Sequence, residues 1–60
     1  MDIDIYTKTP QFQRNQAMYV LHKVDKKPLQ EIAVIFQLAL VEVETIIAYH
    51  QQYMMALEAV

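Results

Sequence analysis

Apolar residues recur every three or four positions from Leu29 to Leu57, and neither Gly nor Pro interrupts them. This spacing places an apolar stripe along a helix. It fits two arrangements. In the first, helices at 28–36 and 40–58 flank a turn at 37–39. In the second, one long helix completes a helical hairpin and pairs with another copy of the chain through a heptad seam. That seam would consist of Leu29, Ala33, Phe36, Leu40, Val43, Ile47, His50, Met54 and Leu57.

A further helix is predicted in the first half of the chain, over residues 10–24. Thr9 is a good N-cap, and Pro10 at the first helical position sacrifices no hydrogen bond. Pro28 separates this helix from the next, because the residue before a proline avoids helical backbone. The predicted apolar face consists of Phe12, Ala17, Leu21 and Val24, with Met18 and Val20 at its edges.

Residues 2–6 alternate polar and apolar side chains, which is the period of a strand. A single short strand is not stable alone. We therefore expect residues 1–9 to form an N-terminal arm or short strand that needs a partner, for example its own copy in a dimer. The chain as a whole, residues 1–60, is predicted to be one all-α domain of three helices.

The segment 29–48 carries a more specific pattern. Ile32 and Ala33 form an apolar-plus-alanine pair, and the small Ala33 lets a second helix cross closely. Other apolar residues occupy the remaining core positions, namely Phe36, Leu38, Val43 and Ile46. The segment resembles the helix-turn-helix of sigma-factor region 4 and similar small regulators. That family usually has Gly in the turn, where this chain has Gln37, and Gln37 would adopt left-handed backbone at a cost of roughly 1 kcal/mol.

The resemblance implies that residues at the start and on the exposed face of the second helix contact DNA. Here none of them offers the forked donors that read guanine or the amide that reads adenine. Glu44 would repel phosphates, and only Thr45 is useful. The positions concerned are Ala39, Leu40, Val41, Glu44, Thr45 and Ala48. The resemblance in fold therefore does not imply that this chain reads DNA as the family does.

Charge is distributed unevenly along the chain. All five basic residues lie within residues 1–27, while residues 28–60 contain four Glu and no base. Because neutralised phosphates supply most DNA affinity, DNA binding is disfavoured although not excluded. Lys23, Lys26 and Lys27 are the candidate phosphate contacts. Their alternative role is to offset the dipole at the end of the first helix.

The chain has 60 residues, of which 55% are hydrophobic, and no Cys. A domain of this size is marginal alone and commonly gains stability by oligomerising. We therefore expect a homodimer and a partner interface on the third helix, where Tyr and Met suit contact surfaces. A partner with a basic surface would complement its charge. The predicted partner-binding residues are Val41, Glu44, Thr45, Ala48, Tyr49 and Tyr53.

The two histidines do not form a metal site by spacing, because they lie on different predicted helices without further ligands nearby. His50 lies on the apolar seam, and we expect it to be a core or interface residue with one satisfied nitrogen. No nucleophile–base pair or glycine loop suggests catalysis, so neither an enzyme nor a cofactor is expected.

These observations predict a small non-enzymatic regulatory protein that acts by protein–protein contact. It would be an inhibitor or adaptor that targets transcription or other nucleic-acid-handling machinery. The alternatives are a DNA-binding helix-turn-helix transcriptional regulator and a purely structural oligomerisation module. The longest nearly apolar run, residues 32–43, is far short of a bilayer span, and residues 1–9 do not resemble a signal peptide. A cytoplasmic location without membrane contact is expected.

Overall fold

The computed structural model describes residues 2–59, and within them the chain forms four helices and no strand. They are α1 (Ile3–Thr7), α2 (Phe12–Lys23), α3 (Leu29–Phe36) and α4 (Leu40–Glu58). The all-α class expected from the sequence is confirmed, with one more helix than predicted. Met1, at the start of the predicted arm, and Val60 lie outside the described residues.

The prediction of an extended N-terminal arm or strand is wrong, because residues 3–7 form α1. Asp2 caps this helix, its Oδ1 accepting a hydrogen bond from the backbone N–H of Ile5 at 3.2 Å. Tyr6 is the one residue that α1 buries. A local cap and one buried aromatic ring therefore overrode the two-residue alternation.

The second helix begins two residues later than predicted. Thr9 does not cap it. Instead, the Thr9 hydroxyl donates to the carbonyl oxygen of Tyr6 at 2.8 Å and closes the end of α1. The predicted apolar face is also partly wrong, because Val24 is 68% exposed, whereas the buried residues of α2 are Asn15 and Met18, of which only Met18 was expected near that face. The Asn15 amide bonds to the hydroxyl of Tyr6 on α1, so α2 buries this polar residue although it lies outside the apolar positions.

A tight turn separates α3 from α4, so the alternative of one long helix through residues 29–60 is wrong. Gln37 adopts left-handed backbone, with φ 57° and ψ 46°. The N–H of Leu38 then bonds to the carbonyl oxygen of Ala33 at 2.9 Å, which completes the helix end. The two helices meet at a bend of 103°. The carboxylate of Glu42 accepts from the N–H of Ala39 at 3.2 Å and starts α4.

The core has two adjoining parts. The apolar cluster joins α2, α3 and α4 through Met18, Ile32, Ala33, Val43 and Ile47. The polar-aromatic cluster lies where α1 packs against α2 and α4, and its buried members are Tyr6, Asn15, His50 and Tyr53. No single helix within residues 2–59 is long and apolar enough to cross a membrane. Taken together, α3 and α4 have the length and composition of a membrane span, but the two helices are bent by 103° relative to each other.

Candidate partner-binding face

The first half of α4 presents an exposed face that includes most of the predicted partner-binding residues. Val41 is 66% exposed, and Glu44, Thr45 and Ala48 are also exposed. The Thr45 hydroxyl donates to the carbonyl oxygen of Val41 at 2.9 Å and so lies back against its own helix. We call these four residues, together with Glu42, the α4 face.

A shallow depression of about 270 Å³ lies on this face. Its lining residues are Val41, Glu42, Thr45 and Ile46, so its walls are mainly aliphatic with a carboxylate at one side. The Glu42 carboxylate is held by the N–H of Ala39. The arrangement can seat an apolar side chain of a partner while the carboxylates attract positive charge around it.

Tyr53 does not belong to this face, and its prediction as a partner-binding residue is corrected. It is buried, with its ring edge-on to Tyr6 at 5.2 Å and to Phe12 at 5.3 Å between centroids. Tyr49 remains 45% exposed while its ring contacts Tyr6 at 5.0 Å. The sequence pattern missed this burial because it did not predict α1, which covers this side of α4.

The three candidate phosphate contacts lie at the end of α2 and in the following turn. Lys23 and Lys26 are exposed, and Lys26 has a positive φ of 60°. The Nζ of Lys27 lies 3.3 Å from Oε1 of Glu31 on α3. An exposed pair of this kind contributes little to stability, so it leaves Lys27 able to exchange partners.

His22 has a structural role in that turn. Its Nδ1 lies 3.1 Å from the carbonyl oxygen of Lys27, so Nδ1–H donates across the chain reversal. His50, in contrast, is fully buried in α4 with both ring nitrogens bonded. The expectation that only one nitrogen of His50 is satisfied is therefore wrong, because α1 and α2 each supply a partner.

Buried and half-buried polar side chains form one directional series of hydrogen bonds. Nε and Nη2 of Arg14 donate to Oδ1 of Asn15 at 3.2 and 3.1 Å. The Asn15 amide donates to the hydroxyl oxygen of Tyr6 at 3.1 Å. The Tyr6 hydroxyl hydrogen is then directed to Nδ1 of His50, at 2.6 Å. His50 carries its hydrogen on Nε2 and donates it to Oε1 of Gln16 at 2.7 Å.

In this series of hydrogen bonds, the side chains of Tyr6 and His50 are both satisfied in their neutral forms. Burial raises the pKa of Tyr6, and the hydrogen bond from Asn15 opposes that rise. Burial lowers the pKa of His50. No buried side-chain nitrogen or oxygen among the described residues lacks a hydrogen-bond partner.

Sequence reasoning missed Tyr6, Asn15 and Gln16 as members of this cluster. One usable signal was present, because Asp2 can cap a helix and Asp4 suits its first turn. The pairing of Tyr6 with His50, 44 residues apart, has no local signal in the sequence.

Comparison with protein-family models, with characterised protein sequences and with solved structures finds no significant match.

Proposed function

We propose that this chain is a small non-enzymatic regulatory protein that binds another protein through the α4 face. The observation that carries the proposal is the aliphatic depression at Val41, bordered by the Glu42 carboxylate and next to exposed Glu44. An uncharged centre with charge at its edge is typical of a protein interface. The absence of any base after Lys27 makes the same face complementary to a basic partner.

The arrangement of α3, the turn and α4 supports the resemblance to helix-turn-helix regulators. Left-handed Gln37 occupies the place where that family usually has Gly, and α3 and α4 meet at a bend of 103°. In that family this helix faces DNA. Here it is acidic, so we propose that it faces a basic surface that normally handles nucleic acid, as an inhibitor or adaptor in transcription.

The test compares two matched substitutions. Val41→Asp places a charge in the depression, whereas Val34→Asp makes the same change at a 77% exposed position on α3. The wild-type chain is used to capture a partner, and the purified partner is then titrated against each variant by calorimetry. We expect Val41→Asp to weaken binding about tenfold or more, as loss of a central contact does, and Val34→Asp to bind like wild type.

Glu44→Lys supplies an electrostatic check on the same complex. We expect it to slow association and to weaken the salt dependence of binding, because rim charges act mainly on encounter. Equal affinity of the wild type and the Val41 and Glu44 variants would place the interface elsewhere. Circular dichroism confirms that each variant keeps its helices.

A DNA-binding transcriptional regulator is the second candidate, favoured by the same helix arrangement and by exposed Lys23 and Lys26. Its test is fluorescence anisotropy with duplex DNA selected from a random pool. We expect only weak binding that is lost between about 50 and about 200 mM salt, because few phosphates can be neutralised. Tight, sequence-selective binding at the higher salt would instead favour this candidate over the first.

A further inference from the structure

The short helix α1 buries one side chain, that of Tyr6, against the rest of the protein. The Tyr6 hydroxyl donates to Nδ1 of His50 in the middle of α4. Around this bond, the Tyr6 ring contacts Phe12 and Tyr53 edge-on at 5.2 Å. Attachment of α1 therefore depends on the state of the His50 imidazole.

A proton added to His50 would break the direction of the hydrogen-bond chain. Nδ1 would then become a donor facing the Tyr6 hydroxyl, which already accepts from the Asn15 amide. The Tyr6 hydrogen would lose its acceptor, and a charge would be buried in a site whose partners suit the neutral ring. The structure shows no other acceptor bonded to the Tyr6 hydroxyl, so protonation of His50 weakens the contact that joins α1 to α4.

The groups around His50 do not stabilise a positive charge. Its hydrogen-bonding and aromatic partners within the described residues carry no negative charge at neutral pH. They are Tyr6 from α1, Phe12, Gln16 and Tyr19 from the α2 region, and Tyr53 from α4. Two further titratable groups lie one contact away, namely Tyr49 against Tyr6 and cationic Arg14 against Asn15.

The apolar cluster of Met18, Ile32, Ala33, Val43 and Ile47 includes no residue of α1 and no titratable group. It joins α2, α3 and α4 to one another independently of Tyr6. The domain can therefore lose α1 and keep its remaining helices together, as locally stable units of proteins commonly do.

We propose that α1 is an acid-released strap: protonation of His50 at Nδ1 breaks the bond to Tyr6 and frees α1, while the apolar cluster keeps α2, α3 and α4 folded. Release uncovers the rings of Phe12, Tyr49 and Tyr53, which α1 contacts in the neutral state. Of these rings, Tyr49 and Tyr53 lie further along α4 than the α4 face, which ends at Ala48. This inference does not depend on the proposed function.

The test is a pH titration followed by nuclear magnetic resonance of ¹⁵N-labelled protein. The amides of Ile3–Thr7 report on α1 and those of Leu29–Phe36 on α3. As pH falls, we expect the α1 signals to move to disordered values with a midpoint below 6.5, because burial lowers the pKa of His50 from that value. The released population should rise about tenfold per pH unit, since one proton is taken up. The α3 signals should stay folded through this transition.

Two histidine variants assign the proton. In His50→Gln, the side-chain amide can still accept from Tyr6 and donate to Gln16 but cannot titrate, so the α1 transition should disappear. His22→Gln removes the other histidine, which bonds to Lys27 instead, and should keep the transition unchanged. An α1 transition that survives His50→Gln overturns the proposal, as does simultaneous loss of α1 and α3 in the wild type.

A third variant guards against poor folding of His50→Gln. Tyr6→Phe keeps the ring but removes the hydroxyl that bonds to Nδ1. The attached state then loses its bond when His50 is neutral and its conflict between two donors when His50 is protonated. Attachment of α1 should therefore be weaker at pH 8 than in the wild type and should change less steeply with pH. An α1 population that depends on pH as steeply as in the wild type overturns the proposal.

Discussion

At the scale of single residues, the Tyr6 hydroxyl is the group on which the contacts between α1 and the other helices converge. It connects three elements, because it accepts from Asn15 on α2 and donates to His50 on α4 while it belongs to α1. Removing one member of a buried hydrogen-bond network costs more than the net value of the bond, since its partners stay buried without a substitute.

We therefore expect Tyr6→Phe to lower the free energy of unfolding by about 1–3 kcal/mol at pH 8. Tyr49→Phe is the matched control, because Tyr49 contacts the same cluster but is 45% exposed, and its change should stay within about 0.5 kcal/mol. Urea unfolding followed by circular dichroism measures both. Equal losses in the two variants would mean that the hydrogen bonds of the Tyr6 hydroxyl contribute no more to stability than the exposed hydroxyl of Tyr49 does.

The raised pKa of Tyr6 adds an alkaline dependence with a definite sign. Burial keeps Tyr6 neutral in the folded state above its ordinary value of 10.0, while the unfolded chain ionises there. The resulting stability is fully present below pH 10.0 and is lost as pH rises through the folded-state pKa. Stability should consequently fall less steeply above pH 10 in Tyr6→Phe than in wild type, in urea melts at successive pH values.

At the scale of elements, the turn after α3 tests how far a local pattern can specify backbone. Gln37 lies in the left-handed region, where Gly carries no steric penalty. Gln37→Gly should be neutral or stabilise the domain by up to about 1 kcal/mol. Gln51→Gly is the matched control, because Gln51 is an exposed position within α4, and there Gly should cost about 1 kcal/mol.

Thermal melts of the wild type and the two Gly variants decide this prediction. A clear loss of stability in Gln37→Gly, equal to that in Gln51→Gly, would contradict a left-handed residue 37.

The second half of the chain could be predicted closely, whereas the first could not. Helix α4 covers the predicted range of 40–58, and α3 differs from its prediction by one residue, because long apolar periodicity and a proline specify them locally. Helix α1 has five residues, too few for a period, and its stability comes from Tyr6 packing against distant residues. The burial of Asn15 on α2 likewise depends on a contact with Tyr6 on α1, which no local pattern indicates.

The candidate partner-binding site was likewise predictable only in part. Val41, Glu44, Thr45 and Ala48 could be placed together because a regular helix specifies its own exposed face. Tyr53 was placed with them wrongly, because whether a stripe is exposed depends on what another element covers. Only the tertiary position of α1 decides that.

At the scale of the whole molecule, the exposed aliphatic surface of α4 favours self-association, whereas the acidic charge of the same helix disfavours it. We propose that the chain forms a homodimer through the α4 face, since Val41 is exposed there, next to the partly exposed Leu40, in a domain too small to cover them. A dimer of this kind brings Glu44 of one copy near the acidic surface of the other. The same face would be taken by a basic partner, so partner binding and dimerisation should compete.

Salt should separate the two associations, because screening weakens attraction and repulsion alike. In sedimentation equilibrium at micromolar concentration, we expect the dimer fraction to rise as salt is added, whereas affinity for a basic partner should fall. Val41→Asp should give a monomer with unchanged helix content, since it adds repulsion at the centre of the contact. Val34→Asp, with the same change on α3, should remain dimeric. A wild-type chain that stays monomeric at every salt concentration would contradict the dimer, and dimerisation weakened by salt would contradict its placement on the α4 face.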